Sequence, residues 1–164
     1  MPVAAIALGS NLPSSLGPPE ATLREAVLRM GQLGEVRAVS SFHDTAPVGY
    51  ADQPRFLNAA LLLETALAPV ELMARLLAIE RALGRDRAAS ARKGPRTIDL
   101  DLLMYDGLVL RVAESADHPA LTLPHPEMHK RRFVLAPLAE IAPEWIHSTS
   151  GRRVAQLLAE LPGE

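Results

Sequence analysis

Gly94-Pro95-Arg96-Thr97-Ile98-Asp99-Leu100-Asp101-Leu102-Leu103 is the stretch from which the rest of the chain is read. In an extended strand, side chains two apart point to the same face. Asp99 and Asp101 therefore project together, while Leu100 and Leu102 point to the other side. Two carboxylates on Cα atoms about 7 Å apart repel each other unless a cation sits between them. Oxygen ligands of this kind suit Mg²⁺, which also keeps waters and phosphate oxygens in its shell. An isolated Asp-x-Asp is more often a solvated strand end. Here Arg96 lies three residues upstream of Asp99, at the end of a strongly basic run.

That run holds Arg81, Arg85, Arg87, Arg92, Lys93 and Arg96 against a single acid, Asp86, a local excess of five positive charges in a chain of net charge -2. The planar guanidinium fork donates two parallel hydrogen bonds to phosphate. A cationic loop running into an acidic metal pair supplies what a nucleoside triphosphate needs, cations for its oxygens and carboxylates for its Mg²⁺.

Working outward, the strand extends over residues 97–105. Asp106-Gly107 is a hairpin turn signal leading into Leu108-Val109-Leu110. Upstream, Pro69 opens a helix with an apolar stripe of Leu72, Leu76, Ile79 and Leu83, and Gly84 is placed to end it. Glu80 falls in its last turn, near the negative end of the helix dipole, where an acid calls for a cationic partner. Residues 57–63 and 36–42 read as strands, separated by a loop over 44–55. Pro18-Pro19 opens an earlier helix with the stripe Leu23, Val27, Met30 and Leu33. Residues 3–8 form a buried strand ended by Gly9-Ser10-Asn11. Two short helices are expected near 127–138 and 152–161. The order strand, helix, strand, strand, helix, strand is the ferredoxin-like pattern. The predicted fold class is α+β: an antiparallel βαββαβ sheet with both helices on one face, plus a C-terminal hairpin and helices, in one domain over residues 1–164.

Hydrophobic residues make up 48% of the chain and charged residues 22%, an ordinary globular mixture with no cysteine. Disulfides and thiolate metal sites are excluded. No basic segment precedes the first apolar run, and no apolar run approaches the roughly 18 residues of a membrane helix. The expectation is a cytoplasmic protein that binds neither membrane nor nucleic acid and works as a monomer.

Further along, His125 stands in Leu123-Pro124-His125-Pro126, held by proline on both sides. Phe56 and Phe133 follow loops rather than sitting inside apolar stripes. Together with Ala7-Leu8-Gly9-Ser10-Asn11-Leu12, Ser40-Ser41-Phe42, Thr45, Asp52-Gln53-Pro54-Arg55-Phe56-Leu57-Asn58-Ala59 and residues 94–103, these features resemble the 6-hydroxymethyl-7,8-dihydropterin pyrophosphokinase family of folate biosynthesis, along nearly the whole chain. The resemblance implies transfer of pyrophosphate from ATP to a reduced hydroxymethylpterin, with release of AMP. It implies that Asp99 and Asp101 hold two Mg²⁺ ions and that Arg87 and Arg92 act in catalysis. Arg87, Arg92, Arg96, His125 and Arg131 would contact phosphates, with Glu80 as a supporting acid. Leu102, Leu121 and Thr122 would line the adenine and ribose site. Phe56 and Phe133 would sandwich the pterin ring, Asn58 would bond its polar edge, and Thr45 and Val48 would offer backbone contacts. The loops over 46–55 and 85–93 match segments that close over the substrates. Three positions depart from the pattern: Phe56 where some members have tyrosine, Lys93 where some have tryptophan, and Ala120 where a lysine can approach the nucleotide.

Rival readings fit less well. Nucleotidyltransferases place Gly-Ser some ten residues before the acid pair, whereas Gly9-Ser10 lies about ninety before Asp99. There is no Gly-x-x-x-x-Gly-Lys-Ser/Thr loop. An RNA-binding sheet would need aromatics on its strands, and a regulatory ligand module would not need an acid pair beside six basic groups.

Overall fold

The computed structural model describes residues 1–45, 54–84 and 97–162. Its first layer is an antiparallel sheet built from β1 (Val3–Ser10), β2 (Glu35–Val39), β3 (His43–Thr45), β4 (Phe56–Glu64) and β5 (Asp99–Tyr105). The strand order is β2-β4-β1-β5, and β3 shares the outer edge of β4 with β2. Two helices, α1 (Pro19–Met30) and α2 (Pro69–Ala82), link the strands. Each begins with proline at its first position, where the missing N–H costs nothing. Beyond α2, Gly84 takes φ of 97°, a conformation that side chains resist.

Strand alternation divides the molecule into two cores. Ala4, Ile6 and Leu8 of β1, Ala59, Leu61 and Leu63 of β4, and Leu100 and Leu102 of β5 face the helices α1 and α2, packing on Leu23, Met30, Leu72 and Leu76. Among the described residues, the other sheet face is only partly covered. Ala5, Ala60, Leu103 and Met104 pack there against α3 (Arg132–Ile141) and α4 (Val154–Glu160). A bulge opposite Ala5 and Ile6 lets Leu103 and Met104 both join this second core, after which Tyr105 returns to the first.

Several expectations are corrected. Gly9 and Ser10 belong to β1 rather than to a turn. The second strand stops at Val39, and a separate short strand, β3, occupies the start of the expected loop. Asp106-Gly107 does form a turn, closed by Leu108 N–H on Tyr105 O at 3.1 Å, but among the described residues no strand after the turn pairs back on β5. The hairpin instead joins β6 (Leu110–Val112) to β7 (Leu121–Leu123). The reason is that the far edge of β5 is met by the segment after β7, where His125 N–H donates to Leu103 O at 2.8 Å. The helix expected at 127–138 divides into a 3-10 turn, Met128–Lys130, and α3, because Arg131 is extended between them. α3 then runs past Pro137 to Ile141.

Candidate active site

The antiparallel register gathers the site. Asp99 lies opposite Gly9, Gly9 opposite Asn58, and Asn58 opposite His43, so these four form one row across β5, β1, β4 and β3. In the neighbouring positions Asp101 lies opposite Ala7, Ala7 opposite Ala60, and Phe56 opposite Thr45. Directly paired residues share a sheet face. The acid pair, Asn58, Phe56 and Thr45 are thus on one face, which is also the face that α3 partly covers. The acid column and the Asn58 column are two strand spacings apart, about 10 Å, with only Gly9 and Ala7 between them.

Local contacts fix the individual groups. Asn58 is buried, and its amide nitrogen donates to Thr45 Oγ1 at 2.6 Å. Its Oδ1 lies where a β-carbon on Gly9 would approach to 2.9 Å, so only glycine leaves room for the amide in this pose. Ser10 Oγ donates to Thr97 O at 2.5 Å and ties the entry of β5 to β1. Between the two acids, Leu100 N–H donates at 2.7 Å to the carboxylate of Glu80, which is 1% exposed. Glu80 therefore braces the strand from the α2 side while Asp99 and Asp101 stand on the other, both partly exposed.

His125 sits beside this row. Its Nδ1 accepts Glu127 N–H at 3.1 Å, so the neutral ring carries its proton on Nε2. Burial holds its pKa below the ordinary value, with the Arg131 charge adding to that and Asp99 and Glu127 opposing it. A neutral Nε2–H donor beside Asp99 is suited to a phosphate oxygen. Arg131 reaches back over the Phe133 ring, with its guanidinium carbon 5.7 Å from the centroid, so a cation and an aromatic wall are joined at the start of α3.

The expected site residues fall into three sets. Thr45, Phe56, Asn58, Asp99, Asp101, His125, Arg131 and Phe133 gather on or beside the sheet face that α3 partly covers. Glu80, Leu102 and Leu121 are buried on the helix side, and Thr122 is exposed on β7. Val48, Arg87, Arg92 and Arg96, the loop expected over 85–93 and most of that expected over 46–55 lie outside the described residues. Gly9 was not expected as a site residue, nor was Ser41 with Glu140. A glycine closing an apolar run was the one available signal for Gly9, and it reads equally well as a turn.

Among the described residues, no group of three or more His, Asp or Glu is arranged to hold a metal, and no helix is long and apolar enough to cross a membrane. An acid pair alone still fits Mg²⁺, which commonly takes one or two carboxylates and fills its remaining positions with water and substrate phosphate.

Fold and site together define a class: an α+β domain with an acid pair, a histidine and a ring-bearing wall on one sheet face. Such a scaffold is compatible with several chemistries, and comparison narrows it. Residues 5–143 match the family model of 7,8-dihydro-6-hydroxymethylpterin-pyrophosphokinase (HPPK). The 2-amino-4-hydroxy-6-hydroxymethyldihydropteridine pyrophosphokinase of Bacillus subtilis is 46% identical over 141 residues, covering 85% of this chain and 77% of that protein. The Pseudomonas aeruginosa protein of the same name is 42% identical over 161 residues, covering 97% and 91%. Among solved structures, Plasmodium falciparum HPPK-DHPS with pteroate superposes with a TM-score of 0.74 at 13% identity, a likeness of fold, and this chain spans 42% of that longer one. The chain belongs to the HPPK family.

Proposed function

We propose that this protein transfers the pyrophosphoryl group of ATP to the hydroxymethyl oxygen of 6-hydroxymethyl-7,8-dihydropterin, a step of folate biosynthesis. The observation that carries the reading is the common sheet face of Asn58, Phe56, Asp99 and Asp101, in a chain that belongs to this family. The pterin ring would lie between Phe56 and Phe133, with its polar edge on Asn58 and on the backbone of Thr45 and Val48. From there the hydroxymethyl group points across Gly9 and Ala7 to the acid column. Its oxygen attacks the β-phosphorus, the bond from that phosphorus to the α,β-bridging oxygen breaks, AMP leaves with that oxygen, and the hydroxyl proton passes to water.

Asp99 and Asp101 would hold Mg²⁺, two ions in this reading, whose charge offsets that of the triphosphate. The remaining work falls to side chains. His125 donates from Nε2, and Arg87, Arg92, Arg96 and Arg131 neutralise phosphate oxygens. Glu80 would act from below by holding β5, and the nucleotide would lie toward Thr122, with Leu102 and Leu121 behind it in the helix-side core. The fold is read as a single ferredoxin-like domain acting as a cytoplasmic monomer.

The test is the product. With ATP, Mg²⁺ and the reduced hydroxymethylpterin, AMP should form in equal amount to the pterin diphosphate. Stoichiometric ADP would mean attack at the γ-phosphorus and would overturn the reading.

A further inference from the structure

The proposed pterin site has two walls carried by different elements. One is β3 with β4, which present Thr45, Phe56 and Asn58. The other is the first turn of α3, which presents Phe133. β3 is only three residues long and sits on the sheet edge, and its ladder to β4 spans His43 to Thr45. The chain enters it from Ser40, which is locked to Ala60 twice: Ser40 N–H donates to Ala60 O, and Ser40 Oγ accepts Ala60 N–H, each at 2.9 Å. Between Ser40 and β3 the chain has left the sheet.

At that point α3 takes hold of it. The Glu140 carboxylate accepts Ser41 N–H on Oε2 at 2.7 Å, Ser41 Oγ–H on Oε1 at 2.6 Å, and His43 Nε2 on Oε1 at 2.7 Å. Three donors converge on two oxygens of one residue, from positions nearly a hundred apart in sequence. Glu140 lies in the last turn of α3, where the helix dipole disfavours an acid. Helix stability therefore does not explain it, whereas the three donors do. Seven residues earlier on the same helical stripe stands Phe133, roughly 10 Å away along the axis. Two residues beyond His43 stands Thr45, which accepts from Asn58.

We propose that Glu140 is a positioning residue for the pterin site: by gripping Ser41 and His43 it sets the separation between the Phe133 wall and the Thr45–Asn58 wall. The proposal rests on the reading of that face as the pterin site. The Glu140 side chain is 40% exposed and that of His43 29%, so the clamp is a surface contact rather than part of either core. Exposed ion pairs contribute little to global stability, so its loss should register in ring binding before it registers in unfolding. Glutamine keeps the shape but not the charge, so its hydrogen bonds to Ser41 and His43 are weaker than those of the carboxylate.

The experiment measures KM for the reduced hydroxymethylpterin, turnover, and affinity for a non-hydrolysable ATP analogue in Glu140→Ala, Glu140→Gln and Ser41→Ala. Losing charge-assisted hydrogen bonds should raise the pterin KM on the order of tenfold in Glu140→Ala, with ATP-analogue affinity within about twofold of wild type. The double variant Ser41→Ala/Glu140→Ala should be no worse than Glu140→Ala alone. A pterin KM unchanged in both Glu140 variants, or parallel losses for pterin and ATP, would overturn the proposal. Phe133→Ala serves as the reference. If it weakens pterin binding and the Glu140 variants do not, the clamp is wrong and the ring site stands; if it too has no effect, the ring-site reading fails. Should Glu140→Ala not fold, Glu140→Gln and Ser41→Ala decide by the same criteria.

Discussion

Gly9 has no side chain where any other residue would press on Asn58. A β-carbon there would come within 2.9 Å of Asn58 Oδ1, and the far end of the amide is already committed to Thr45. The amide must turn away to make room, and a flexible side chain can do so at small cost in stability. Gly9→Ala is therefore expected to weaken pterin binding while leaving the thermal midpoint and ATP affinity close to wild type. Unchanged pterin affinity by calorimetry would show that Asn58 does not read the ring. The acids make a complementary case. Asp99→Asn and Asp101→Asn should each preserve the fold, since both side chains are partly exposed, yet lower turnover by orders of magnitude at saturating Mg²⁺. Near wild-type turnover in either variant would remove that residue from the metal site. The two rings are tested the same way: Phe56→Ala and Phe133→Ala should weaken pterin binding clearly, since an aromatic pair contributes about 0.5–1.5 kcal/mol beyond its buried area. If both variants bind pterin normally, the rings are packing groups only.

Among the elements, β5 carries the most responsibility and receives support from two sides. β1 pairs along it, and Glu80 of α2 accepts Leu100 N–H at 2.7 Å from within the core. Glu80→Ala leaves that buried N–H without its acceptor, which costs about 1–3 kcal/mol before any cavity is counted. Urea unfolding should register that loss, and turnover should fall with it because the acids ride on the same three residues. A loss below about 0.5 kcal/mol, within the range of an ordinary surface substitution, would mean that Leu100 finds another partner. The contact of α3 with Ser41 and His43 also has a pH signature. The two Ser41 donors, chiefly its hydroxyl, and then His43 hold the Glu140 carboxyl down to about 2, from an ordinary value of 4.5. A depressed folded-state value means that the unfolded chain takes up the proton first. The contribution is thus fully present above pH 4.5 and is lost as pH falls from there toward 2. Glu140→Gln should flatten the acid limb of stability against pH slightly in that window, since an exposed contact contributes little, and a steeper limb than wild type would contradict the depressed value.

For the whole molecule, the division into two unequal layers explains the place of the candidate site. α1 and α2 seal one sheet face, and α3 and α4 cover only part of the other. Among the described residues, α3 and α4 leave the row from Asp99 to His43 and the positions beside it less covered, with Asp99 and His43 partly exposed at its two ends. Much of this was legible in the chain itself. Prolines at 19 and 69 and the spaced leucines marked both helices, because capping and the 3.6-residue period are local properties. Alternation marked the strands and put Asp99 and Asp101 on one face, because the strand period of two is also local. Local signals failed where a competing long-range contact won. Asp106-Gly107 turns as expected, but the edge of β5 was already met through His125, so the hairpin formed further on, between β6 and β7.

The sequence by itself thus determined the two helices, the main strands, the acid pair and the family to which the chain belongs. Only the tertiary structure decided that Asn58, Gly9 and Asp99 stand in one row, that Leu103 and Met104 share a core across a bulge, and that Glu140 meets Ser41. Periodicity tells which face of a strand a side chain takes, but not which residue of another strand lies opposite. A shift of one residue in register would send every side chain of the strand to the other face, and that register is settled by packing both cores at once.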